Sequence, residues 1–343
     1  MSTKQRNFEG WPVADVAIHR VDGSAAAAQS RVRALNTFKF WDVIFKTMTQ
    51  VAAVTVLVIL FGVIVSLIVG ALPAFQAFGF GFFTSSSWNA VTDNFGALPA
   101  IYGTIVTSFL AMIVALPVGL GIAIFLTELC PYWLRRPIGI AIELLAGIPS
   151  IIYGLWGYFF FAPVFKEVVQ GRIIDFFSNV PVLSDLFGGA PYGIGIFTAA
   201  FILSIMILPF ITSISRDVFS TVPPVLKEAA SGMGCTLWEV VRNVVIPYTR
   251  VGVIGGAMLA LGRALGETMA VTFVIGNAHR ISPSLFAPGT TISASIANEF
   301  TEAQAGLYTS SLVALGLILF IITFFVLAAA RYMLMRIERK AGA

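Results

Sequence analysis

Six long apolar stretches limit what this chain can fold into more than any motif does. They lie near Thr47–Leu72, Ala97–Leu126, Ile138–Val164, Tyr192–Ile214, Val251–Ile275 and Leu307–Ala330. A helix of about 20 apolar residues crosses about 30 Å of hydrocarbon, and each stretch is long enough to do so. Of the 343 residues, 58% are hydrophobic and only 11% charged. An ordinary soluble domain carries about a quarter charged residues, so that class is excluded. The expected fold is an all-α integral membrane protein with six transmembrane helices in a lipid bilayer.

Positive charge sets the expected orientation, because Lys and Arg concentrate in cytoplasmic loops. Lys39 and Lys46 precede the first stretch, and Arg135 and Arg136 follow the second. Arg216, Lys227, Arg242 and Arg250 lie between the fourth and fifth, and Arg331, Arg336, Arg339 and Lys340 follow the sixth. The alternate loops hold only Lys166, Arg172 and Arg280. Both termini and the Lys227 loop are therefore expected in the cytoplasm. The net charge of +4 follows from this asymmetry and implies no nucleic-acid partner. Cys130 and Cys235, with His19 and His279, form no metal-site pattern. Residues 1–40 are polar and lack an apolar core, so they are expected to be a mostly disordered tail. Phe75, Phe78, Phe80, Phe82, Phe83 and Trp88 follow the first stretch and suit an aromatic belt at the membrane surface.

The loop before the fifth stretch reads KEAASGMGCTLWEVVRNVVIP from Lys227. Pro223 and Pro224 fit the start of a short helix, and Gly232 and Gly234 break it. Thr236 and Glu239 have capping-box spacing for a second helix, which Pro247 is expected to end. Such a helix–turn–helix suits either a partner's grip or an amphipathic rest on lipid.

Charge within the apolar stretches carries most of the chemistry. Arg263 lies about 18 Å along a helix from Val251. A cation at that depth costs about 2.5–3.5 kcal/mol, which calls for a partner or a task. Glu267 is four residues on and would share its helix face, so the two could simply neutralise each other. The functional alternative is that Arg263 lines an anion path and Glu267 orients it. Small residues at Gly252, Gly256, Ala260 and Ala264 suggest a central, closely packed helix. Glu143 stands in the third stretch, within reach of headgroup water or Arg136, ahead of a Gly147-Ile148-Pro149-Ser150 break expected to kink the helix. Phe165–Ala190 is too dotted with charge to span, and a separate short interfacial or re-entrant helix is expected there.

Glu228-Ala229-Ala230, Gly234 and Val244-Val245-Ile246-Pro247 resemble the EAA loop of ABC importer permeases. Phe95–Pro99, the Glu143–Ser150 run continuing to Gly157, and Gly262–Val271 extend the resemblance to the permease subunits of phosphate ABC importers, over about Trp41–Glu338. The resemblance implies a type I, MetI-like bundle with a cytoplasmic coupling helix in the bacterial inner membrane. It implies residues 41–96 as the first transmembrane helix and aromatic outer loop, 97–331 as the permease domain with its coupling loop at 221–248, and 332–343 as a basic tail. Glu228, Ala229, Ala230, Gly234, Trp238 and Pro247 would form the ATPase contact. Arg263, Glu267 and Glu143 would belong to the substrate pathway. Implied partners are a PstA-like second permease, two ABC ATPase subunits and a periplasmic phosphate-binding protein, with inorganic phosphate as substrate.

No GxxxxGK[ST] run occurs, and Glu267 follows Gly266 where a phosphate loop needs lysine. The chain is thus expected to have no ATP site, no catalytic residues and no cofactor, with ATP and Mg held by the ATPase subunits. Sulfate or molybdate would suit the same machine. A passive channel or a secondary transporter using Glu267 as a proton relay is the reading from another class.

Overall fold

The computed structural model describes residues 13–341. The chain divides into two units, Met1–Val65 and Ser66–Ala343. Helix α1, Val13–Phe78, runs through the first unit and into the second. Its apolar side chains between Phe40 and Val65 are mostly exposed, as a lipid-facing anchor requires. The expectation of a disordered tail over residues 1–40 is corrected from Val13 onward, where the backbone is helical. The Ala25–Ala28 run favours helix, and continuity with a membrane helix removes the cost of nucleation. Residues 1–12 lie outside the described residues.

The second unit holds α2 (Leu98–Leu129), α3 (Tyr132–Ala146), α4 (Ser150–Phe177) and α5 (Ile196–Ser220). Then come α6 (Pro224–Gly232), α7 (Leu237–Leu265), α8 (Met269–Val274), α9 (Ile292–Glu299) and α10 (Leu307–Ala341). The basic stretch 332–343, expected as a separate tail, continues α10 up to Ala341. Among the described residues, five helices are long and apolar enough to cross a membrane, or six if α3 and α4 make one span.

Two expected spans are broken. The third parts at Gly147–Pro149, and its halves meet at 87°. Pro149 takes an extended ψ of 137° ahead of α4, which no helix can continue through. Beyond the break, α4 does not stop near Val164 but runs on to Phe177, absorbing part of the expected separate re-entrant helix. Phe161 and Phe165 stack on Phe201 and Phe197 of α5. Lys166, Glu167 and Arg172 stay on the exposed side. The second break parts α7 from α8 at Gly266–Thr268.

The centre of the bundle is α5, with 67% of its apolar window buried against 28% for α7. The small residues of α7 were expected to mark that helix as central. They do permit close approach, but toward α5. A Cβ on Gly252 would lie 2.6 Å from Val218, and one on Gly256 would lie 2.7 Å from Ile214.

At the end opposite α6 the aromatic loop folds inward, which corrects the expected surface belt. Phe82 and Phe95 are buried with Ala71, Ala74, Leu312 and Leu315, while Phe80 alone of the run is almost fully exposed. Strands β1 (Trp88–Asn89) and β2 (Asn94–Phe95) pair antiparallel and bring Trp88 against Phe95. Glu299 closes this end. It accepts hydrogen bonds from Trp88 Nε1 at 2.7 Å and Tyr308 OH at 2.8 Å, and pairs with His279 Nε2 at 2.6 Å. The indole of Trp88 stacks on the His279 ring at 4.8 Å. Burial pushes the Glu299 carboxyl up, but His279, Tyr308 and Trp88 outweigh it and hold the group below the usual carboxylate range. A depressed folded pKa gives stability that is present above the unfolded value and lost as pH falls through the folded one. Glu299→Gln is therefore expected to cost about 1–3 kcal/mol at pH 7. The gap in melting temperature from wild type should narrow in acid below the ordinary carboxylate range. An unchanged gap between neutral and acid melts would show that the charge of Glu299 is not what holds this end.

Helix α2 approaches the loop before α9 through Gly103, where a Cβ would lie 1.8 Å from the Thr290 carbonyl oxygen. Thr104, the next residue, accepts at Oγ1 from the Ile292 amide at 2.9 Å. Gly103→Ala must push backbone from backbone, so a loss of about 3 kcal/mol is expected. A thermal melt in detergent within a degree of wild type would contradict that contact.

Candidate functional site

The break in α7 puts Arg263 in the last helical turn and Glu267 in the following link. A cation at a helix C-terminus and an anion at the next N-terminus both suit the helix dipoles. Glu267 Oε1 accepts from the Ala270 amide at 3.3 Å, so it caps α8. The helix was expected to continue through this point and to place both charges on one face. Instead Glu267 turns to the new helix start, and Arg263 and Glu267 form no ion pair among the described residues. Arg263 is exposed, with its guanidinium 6.0 Å from the centre of the Phe210 ring on α5.

The two breaks are neighbours. Gly154 in the first turns of α4 lies so close to α8 that a Cβ there would be 3.1 Å from the Met269 carbonyl oxygen. Tyr153 OH crosses the first break to donate to the Leu145 carbonyl at 2.9 Å. Interrupted helices leave backbone dipoles open at membrane depth, which is tolerated only against protein or a wet cavity. Such interruptions are also where transport sites are built.

Glu143 belongs elsewhere. It accepts from Arg216 Nη2 at 2.7 Å, and the same nitrogen lies 3.3 Å from Asp217. Arg136, the partner considered from sequence, is not bonded to it. Gly139 makes room, since a Cβ there would meet Arg216 Nη1 at 2.8 Å. Glu143 and Arg216 line a cavity of about 840 Å³ that also takes in Glu128, Arg135 and Lys227.

The coupling loop has the capped form expected of it. Pro224 opens α6, and Thr236 and Glu239 make both bonds of the capping box. Gly234 sits at φ +89°, where a side chain is strained. Glu228 and Ala229 are exposed, whereas Ala230 turns inward. Met233 and Trp238 are 80% and 62% exposed, and Val225 and Leu237 are exposed as well, so this loop turns several large apolar side chains outward. Pro247 does not end the second helix. A π-turn at Val241–Val245 precedes it, with the Ile246 amide bonded to the Val241 carbonyl, and the helix continues as α7. The wider turn accommodates the proline ring.

The profile of a family described as binding-protein-dependent transport system inner membrane component matches residues 115–339. The chain belongs to this family. The permease is 66% identical over 318 residues to the phosphate transport system permease protein PstC of Mesorhizobium japonicum, covering 93% of this chain and 97% of that one. It is 56% identical to the protein of the same name from Pasteurella multocida, covering 88% and 94%. Among solved structures, the permease resembles a chain of a bacterial alginate ABC transporter in complex with an alginate pentasaccharide-bound periplasmic protein. The TM-score is 0.57 at 17% identity, with coverage of 87% and 97%. It also resembles a chain of the inward-facing MetNI methionine ABC transporter, with a TM-score of 0.52 at 18% identity and coverage of 69% and 94%. These two likenesses concern the fold, which is the MetI-like importer permease fold in the inner membrane.

Proposed function

We propose that this permease forms half of the transmembrane path for inorganic phosphate in an ATP-driven importer. The observation that carries this reading is the near full-length identity to phosphate permeases. The geometry suits it: an exposed guanidinium stands at a helix break, beside a second break. Phosphate bears one to two negative charges near neutral pH, and a guanidinium meets it with paired donors. Arg263 is the proposed pathway cation. Glu267 caps α8 next to it, and its charge keeps an anion from lodging there, since a transport site must also release. Glu143 contributes through Arg216 near the coupling loop rather than at Arg263.

The other half of the path is a PstA-like permease. Two ABC ATPase subunits dock on Glu228–Gly234 and Trp238, and a periplasmic phosphate-binding protein delivers substrate to the opposite end. The permease has no ATP site, cofactor or metal of its own; ATP and Mg belong to the ATPase subunits. Both termini and the coupling loop face the cytoplasm. Residues 97–331 form the permease domain. ATP-driven closure of the ATPases moves the coupling helices, and the bundle opens alternately to the two sides.

The test is uptake of labelled phosphate by the four-component complex in proteoliposomes, with sulfate and molybdate as competitors. Phosphate uptake that requires ATP and resists both competitors is expected. Uptake driven by a pH gradient without ATPase subunits would overturn the reading.

A further inference from the structure

Helix α6 is fastened to the bundle by a direct ion pair on the wall of the cavity. Lys227 Nζ donates to Glu128 Oε1 at 2.5 Å, across 99 residues of sequence. The Glu128 side chain is only 8% exposed and that of Lys227 24%. Glu128 stands in a π-turn, Phe125–Leu129, that closes α2. Arg135 Nη2 of α3 reaches the Thr127 carbonyl in the same turn at 2.8 Å. Both the Lys227–Glu128 and the Arg216–Glu143 pairs lie on the wall of the 840 Å³ cavity, so directional bonds stand where packed side chains would otherwise be. Lys227 and Arg216 are each committed to a carboxylate and Arg135 to a carbonyl, while Arg136 on the same wall is exposed.

We propose that Lys227 and Glu128 are positioning residues that carry movement of the coupling loop into α2. An apolar contact slides when one partner moves. This pair cannot part without leaving a carboxylate buried and uncompensated, so the end of α2 follows α6. The π-turn is the joint, because its extra residue lets the helix end shift without unwinding the span. Movement then reaches α5, against which α2 packs through Gly119 and Ile211. The proposal rests on the reading that the loop docks on an ATPase subunit.

The experiment uses the complete complex, with Lys227→Ala, Glu128→Gln and the exchange of Lys227→Glu with Glu128→Lys. Each single variant is expected to keep its ATPase at wild-type stoichiometry while phosphate taken up per ATP hydrolysed falls about tenfold. The exchange is expected to recover this ratio to within about threefold of wild type. A purely structural role would lower assembly and leave the ratio unmoved. Unchanged ratios in both single variants would overturn the proposal. So would loss of the ATPase from both, or an exchanged complex that assembles and hydrolyses ATP without recovering uptake. A wild-type permease that holds no ATPase at all would overturn the docking reading together with this one.

Discussion

Replacing Arg263 by alanine is expected to cut phosphate uptake about a hundredfold while leaving the complex assembled. A charge-assisted hydrogen bond contributes about 1.5–3 kcal/mol, and about 3 kcal/mol in the barrier is about a hundredfold in rate. The structural cost should be small, because the guanidinium is exposed and lies 6.0 Å from the centre of the Phe210 ring, with no ion pair among the described residues. Arg263→Lys keeps the charge but not the planar fork, so it should fall between, about tenfold below wild type. Glu267→Gln keeps an oxygen for the Ala270 amide and should therefore fold. Its expected effect is tighter holding of the anion, read as a lower KM with a lower maximal rate. Labelled uptake and co-purified subunits, measured on the same preparation, separate these effects. Wild-type uptake by Arg263→Ala would remove this residue from the path.

The second large effect is expected at Gly234. No atom outside its chain neighbours lies within 4 Å of a Cβ placed there, so Gly234→Leu has room within the permease itself. Its backbone at φ +89° is the difficulty, and a left-handed conformation costs an L-residue about 1–2 kcal/mol. The added side chain also projects from the exposed loop that carries Met233 and Trp238. Strain and obstruction together should reduce ATPase retained on co-purification by more than about tenfold, with uptake falling in parallel. Trp238→Ala should weaken the same contact by about 2 kcal/mol, because an exposed aromatic on a polar loop is a typical anchor. If the ATPase stays bound to both variants and hydrolysis stays coupled to uptake, the docking surface lies elsewhere.

The capped helix pair of the coupling loop was legible because a local rule governs it. Thr236 and Glu239 make their box whatever the rest of the chain does. The continuation past Pro247 was not legible, because a π-turn leaves no mark in the residue pattern. Arg263 and Glu267 stood out by their cost in an apolar run, yet spacing alone suggested an intrahelical pair. Glu143 was visible as a charge, but its partner Arg216 lies 73 residues away and nothing local joins them. Trp88 was visible as one of the aromatic run, but nothing local joins it to His279, Glu299 and Tyr308, nor Glu128 to Lys227.

By itself the sequence determined that the chain is a bundle of membrane-crossing helices with an exposed, capped loop. Hydrophobic length and local capping act over a few turns, and the residues within those turns state them in full. Only the tertiary structure decided that the fifth span is broken as well as the third, that the two breaks are adjacent, that α5 is the buried axis, and which charges meet. A glycine or proline permits a break, but the neighbouring helix that satisfies the freed backbone groups decides whether the break is kept.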